Sequence, residues 1–113
     1  MSKVRISNRD ARRYVENRIE FDANNIFARW THDERAYVVY SYGFHWPMYV
    51  FEDGQWYANS DKRSVTTSKH ANQTRPTGAV IIEFDHSMIE SIISDGIAMA
   101  VHMRNEPRIP VIV

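Results

Sequence analysis

Apolar residues at three- and four-residue spacing open the chain. Ala11, Tyr14, Val15 and Ile19, with Arg9, Arg12, Arg13, Glu16 and Arg18 between them, predict a short helix over residues 7 to 20. Ser7 and Asp10 stand at the spacing of a capping box in its Asp form. Asp22 to Asn25 reads as a turn, and from Ile26 the period falls to two. Ile26, Ala28 and Trp30 alternate, His32 to Arg35 interrupts, and Ala36 to Tyr42 resumes with β-branched and aromatic residues. Gly43 permits a turn into a strand over His45 to Phe51, where Pro47 belongs at an edge or at the strand's start because it lacks an N–H. Glu52-Asp53-Gly54-Gln55 signals a tight hairpin that returns along Gln55 to Ala58.

The next twenty residues, 59 to 78, are polar except for Val65 and Ala71, and predict a long loop of the kind that is more often functional than inert. Ala79 to Phe84 reads as a buried strand. Asp85 to Ser94 reads as a second helix, with Ser87 and Glu90 at capping-box spacing, Met88, Ile89, Ile92 and Ile93 on one face and Gly96 as its stop. Ile97, Met99, Val101 and Met103 alternate with Ala98, Ala100, His102 and Arg104, which predicts a last strand. The expected fold is a single α+β domain over residues 1 to 113, with an antiparallel sheet of about five or six strands and two short helices.

Composition narrows the function classes. At 113 residues the chain suits one core, and 14 basic against 14 acidic side chains argue against a generic nucleic-acid coat or an acidic DNA mimic. The absence of cysteine removes disulfides, thiolate metal sites and cysteine nucleophiles. No apolar run approaches the roughly 20 residues of a membrane span, and no secretory leader is visible, so a cytoplasmic protein without a membrane partner is expected.

Neutrality conceals blocks of charge. Residues 1 to 18 hold six basic and two acidic side chains, residues 62 to 75 hold four and none, and residues 79 to 95 hold none and four. The first helix and the long loop could together present a positive surface to phosphate or to an acidic partner, or the blocks could neutralise one another across the fold. Nine of the fourteen aromatics fall between Tyr37 and Tyr57, with Tyr40 and Tyr42 on the strand face opposite to Tyr37. Burying both faces requires helices or a second subunit on each. Exposed rings beside cations would instead stack unpaired bases or anchor a protein.

The candidate binding residues are therefore Tyr40, Tyr42 and Trp46 with Lys62, Arg63, Lys69, His70 and Arg75 of the loop. The histidines His32, His45, His70, His86 and His102 show no paired ligand spacing, and no glycine-rich phosphate loop is present, so neither metal nor cofactor is expected. A phosphodiester-cleaving enzyme with His70 as acid or base and Arg75 as anion stabiliser ranks behind a binding role.

The segments Tyr37-Val38-Val39-Tyr40-Ser41-Tyr42-Gly43-Phe44-His45-Trp46-Pro47-Met48-Tyr49-Val50, Trp56-Tyr57-Ala58-Asn59-Ser60-Asp61-Lys62 and Ser64-Val65-Thr66-Thr67-Ser68-Lys69-His70 resemble a group of small uncharacterised proteins of tailed bacteriophages and related mobile elements. The resemblance spans roughly residues 37 to 76, about a third of the chain, and implies no particular activity. It implies a non-enzymatic accessory or inhibitory protein in the host bacterial cytoplasm, binding a host protein or protein–nucleic-acid complex. The alternative is a single-stranded nucleic-acid binder that uses the sheet aromatics and the 62–75 loop. The apolar tail Ile109-Pro110-Val111-Ile112-Val113 offers a strand that can pair across a two-fold axis, which makes a homodimer a further expectation.

Overall fold

The computed structural model describes residues 4–61 and 64–105. Strands β3 (Ile26–Trp30), β4 (Ala36–Ser41), β5 (Pro47–Glu52) and β6 (Gln55–Asn59) form the expected antiparallel meander. Asp53 at φ 54° and Gly54 at φ 79° turn β5 into β6, and two successive left-handed residues are what a type I′ hairpin requires. Pro47 is the first residue of β5, where its missing N–H interrupts no regular ladder.

Short strands extend the meander at both ends. β1 (Val4–Arg5) and β2 (Phe21–Asp22) lie on one side and β7 (Ile81–Phe84) on the other, so the described residues form a seven-stranded sheet in strict chain order. β1 is parallel to β2 and β6 is parallel to β7, which makes the sheet mixed. A parallel step needs a crossover. The first is supplied by a 3-10 turn, Asn8–Asp10, and α1 (Ala11–Glu16), the second by α2 (Val65–Thr74). Both crossovers step the same way across the sheet from strands of the same direction, so right-handed connections place both helices on one face. There α1 and α2 pack side by side.

Each face of the sheet has its own core. Ala11 and Val15 of α1 pack with Phe21, Ile26, Ala28, Tyr37, Val39, Tyr49 and Trp56, and Ala71 of α2 joins them. On the opposite face Val38, Tyr40, Val50 and Tyr57 meet Met88, Ile89 and Ile92 of α3 (His86–Asp95) and Ala100 of α4 (Ile97–Asn105). Helices thus cover both faces of the aromatic-rich meander. Arg35, in the β3–β4 turn, donates to the Ile92 carbonyl at 3.1 Å and to the Ile93 carbonyl, both in the last turn of α3. It also pairs with Glu52 at 3.1 Å, and Glu52 accepts the Ile97 N–H at the start of α4 at 3.0 Å. This group fixes the α3–α4 corner, where Gly96 adopts φ 91°.

The architecture is α+β as expected, with four corrections to its detail. The sheet has seven strands and is mixed rather than five or six and antiparallel, because β1, β2 and β7 add parallel steps. Residues 59 to 78 are not a structureless loop: Ser64 caps α2 by accepting the Thr67 N–H at 3.1 Å, and the helix runs for ten residues. Ile97 to Arg104 is helix rather than strand. Alternation across Ala and Met, both good helix formers, is as compatible with a helix that sets Ala100 against α3 as with a strand. The second helix is capped by Asp85, which accepts the Met88 N–H, rather than by Ser87. The tail from Pro107 to Val113, and with it the expected dimer contact, lies outside the described residues.

Candidate functional site

The two basic stretches meet on the α1–α2 face. An open groove there is lined, among the described residues, by Asn8, Arg9, Arg12, Val65, Ser68, Lys69, Asn72 and Gln73, three cations with no carboxylate. Arg12 reaches across to α2, its Nε donating to the Arg75 carbonyl at 2.9 Å and its Nη2 to the Asn72 carbonyl. Those carbonyls belong to the end of α2, where they have no intrahelical partner. The ion pairs among the described residues use Arg29, Arg35 and Arg104, and none uses Arg9, Arg12, Arg13, Lys69 or Arg75. The described cations of the basic blocks are therefore not cancelled by direct pairing. Glu16, in the same block, accepts the Thr77 N–H and hydroxyl, and these bonds with the Arg12 charge hold it below the usual carboxylate range.

A second cavity, of about 260 Å³, lies between α2 and the strands beneath it. Met48, Tyr49 and Ala58 line it together with Trp46, Ala71 and Thr67, and Asp61, Glu83 and Arg75 add charge. It opens beside the carboxyl end of β6. There β6 leads to α2 on one face, while the neighbouring parallel strand β7 leads to α3 on the other. Crevices form at such switch points because the connections diverge. Hydrogen bonds brace its edge: the Asn59 amide donates to the Pro47 carbonyl at 2.9 Å and to His86 Nδ1 at 3.0 Å, and Asp61 accepts the His86 N–H at 3.1 Å. The His86 ring stacks on Trp46 at 4.5 Å. Tyr49 donates from its hydroxyl to the Ala71 carbonyl at 2.8 Å, and burial raises its pKa. Ser68 and Asn72 line both the groove and this cleft, so one ridge of α2 separates them.

The residues singled out from the sequence do not form one site. Lys69 lies in the groove and Arg75 in the cleft. Trp46 lines the cleft with one ring face on His86. Tyr40 is only 7% exposed, stacked on Phe27 at 5.0 Å, and burial pushes its hydroxyl up to about 12, so it belongs to the core and offers no stacking surface. Tyr42, at φ 68°, is 54% exposed on the other side of the α2 N-terminus, beside His45, Thr66 and Thr67. His70 is 5% exposed, and its Nδ1 lies 2.8 Å from the hydroxyl of the fully buried Ser41. This pair ties α2 to β4. Burial, then the neighbouring Lys69 charge, lowers the His70 pKa and keeps the ring neutral. Lys62 and Arg63 lie outside the described residues.

Arg9, Arg12, Asn72, Asp61 and Glu83 were not among the sequence candidates. The charge block at 1–18 signals the two arginines. No sequence pattern signals the cleft residues, because the loop reading of 59–78 conceals the crossover that creates the cavity. Among the described residues no three acidic or histidine side chains gather as a metal site, and no helix is long and apolar enough to cross a membrane. Family models, curated proteins and solved structures contain no match to this chain.

Proposed function

We propose that the protein is a non-enzymatic accessory protein, of the kind tailed phages encode, that binds a host nucleic acid or a host protein–nucleic-acid complex through the α1–α2 face. The observation that carries this reading is the groove itself: Arg9, Arg12 and Lys69 converge with no lining carboxylate and no ion pair among the described residues. Such a surface attracts phosphates and holds them by displacing counterions. The sheet aromatics play no part in this reading, since Tyr40, Tyr49, Trp56 and Tyr57 are core residues. Tyr42, 54% exposed beside the α2 N-terminus, supports a protein contact near the phosphate-binding one, because exposed rings are frequent anchors of protein interfaces.

The test is the salt dependence of oligonucleotide binding, measured by fluorescence anisotropy. Three phosphate contacts give a slope of about −2 in log K against log salt on a single strand. Arg9→Ala with Lys69→Ala, which leaves the Arg12 contacts to α2 intact, should reduce that slope by about 1.4. Binding that is absent at low salt, or a slope the double variant leaves unchanged, would refute the reading.

A further inference from the structure

The groove and the cleft share one wall and differ in charge. Among the described residues the groove carries three cations and no lining carboxylate, whereas the cleft sets Asp61 and Glu83 against one cation, Arg75. A nucleotide has the same division: a phosphate that needs cations and a base that offers N–H donors and a flat apolar ring. Carboxylates in the cleft repel a phosphate but accept hydrogen bonds from a base edge. The lining is mostly polar, and its apolar part, Met48, Tyr49 and Ala58 beside the Trp46 wall, provides the surface against which a ring packs. At about 260 Å³ the cleft is of a size for one base with part of its sugar, and not for a stacked pair. The ridge between the two cavities consists of Ser68 and Asn72, one helical turn apart on α2. Neither side chain makes a hydrogen bond among the described residues, nor does that of Glu83, so their polar groups are open to a ligand.

We propose that the cleft receives one unpaired base of a strand whose backbone lies in the groove, with guanine preferred. This rests on the nucleic-acid reading above. Guanine offers adjacent N1–H and N2–H donors on one edge, which a carboxylate accepts as a pair, while thymine offers a single N–H flanked by carbonyls that the carboxylates repel. Glu83 is the main reader, because Asp61 already spends one oxygen on the His86 N–H.

The test compares three single strands of about twelve nucleotides. One is all thymidine, one carries a central guanine, and one carries an abasic site in its place. The strand with guanine should bind about tenfold tighter than the other two, a discrimination typical of one well-made bidentate contact. Glu83→Gln should reduce that preference to less than about twofold with the salt slope unchanged, since no phosphate contact is touched. Glu83 lies on the edge strand and is exposed, so the variant retains the packing of the fold. Equal, salt-dependent binding of all three strands would overturn the base site and leave the backbone reading standing. A guanine preference that survives both Glu83→Gln and Asp61→Asn would also overturn it, whereas no binding to any strand at low salt would overturn both readings.

Discussion

Arg35→Met tests how much of the fold depends on the α3–α4 corner. Methionine keeps most of the aliphatic stem and removes the charge, so the change isolates the polar contacts. Four are lost: the 3.1 Å pair with Glu52, the donations to the Ile92 and Ile93 carbonyls, and a 3.4 Å pair with the exposed Asp33 that contributes little. Removing one partner of a fully buried pair costs about 3–5 kcal/mol, because the other charge stays behind without compensation. Here the Glu52 side chain is 11% exposed but that of Arg35 is 26% exposed, which lowers this part to about 2 kcal/mol. The Ile92 carbonyl keeps the Gly96 N–H at 2.9 Å and the Ile93 carbonyl regains water, so the lost donations add about 1 kcal/mol. The total of about 3 kcal/mol is a large share of a domain's usual stability, and at this chain length it corresponds to a fall in Tm of about 12 °C.

Urea unfolding followed by far-ultraviolet circular dichroism measures the change, with a constant m-value as the check that the unfolded state is unaltered. Glu52→Gln provides the second corner of a double-mutant cycle. Its amide oxygen can still accept the Ile97 N–H, so it should cost less than Arg35→Met, and the double variant should cost less than the sum. A loss under about 1 kcal/mol for Arg35→Met, or additivity around the cycle, would refute the idea that this pair secures the corner.

Two further outcomes concern protonation. Because the folded chain holds His70 below its ordinary pKa, the unfolded chain takes up that proton first as pH falls. Stability should therefore be full above about pH 6.5 and decline below it toward the lowered value, and His70→Gln should flatten this part of the urea midpoint profile; an unaltered profile would assign the decline to another group. Asp85 is held below the usual carboxylate range by the Arg104 hydrogen bond first and then by the Met88 N–H it caps. Its stabilisation should be present above about pH 4 and lost as pH falls through the lowered value. In thermal melts Asp85→Asn, which can still cap, should fall between the wild type and Asp85→Ala, and equal melts for both variants would discount the cap.

The meander was legible because each of its signals is local. Alternation over Ala36 to Tyr42, Pro47 at a strand start and Asp53-Gly54 at a hairpin act within a few residues, and the second helix was clear from Met88, Ile89 and Ile92 on one face. What stayed hidden depends on partners far along the chain. Two-residue strands such as Phe21–Asp22 have no periodicity to read, and they exist because β3 and β1 pair with them. Helix α2 has a weak apolar face, and it forms where Thr67, His70 and Thr74 become buried and Ser41 and Arg12 meet its polar groups. Polar residues that look like a solvated loop in isolation are thus the inner face of a helix. The groove was partly legible from the charge block at 1–18, but its second wall depended on recognising that helix.

Arg12 gives the groove an internal asymmetry. Its guanidinium is immobilised by carbonyls of α2, so its rotamer freedom is surrendered during folding, while Arg9 and Lys69, with no ion pair among the described residues, keep theirs until something binds. One charge thus has a fixed position and two can adjust. A bound phosphate chain would take its register from Arg12, with the other two cations adapting to the spacing of its neighbours.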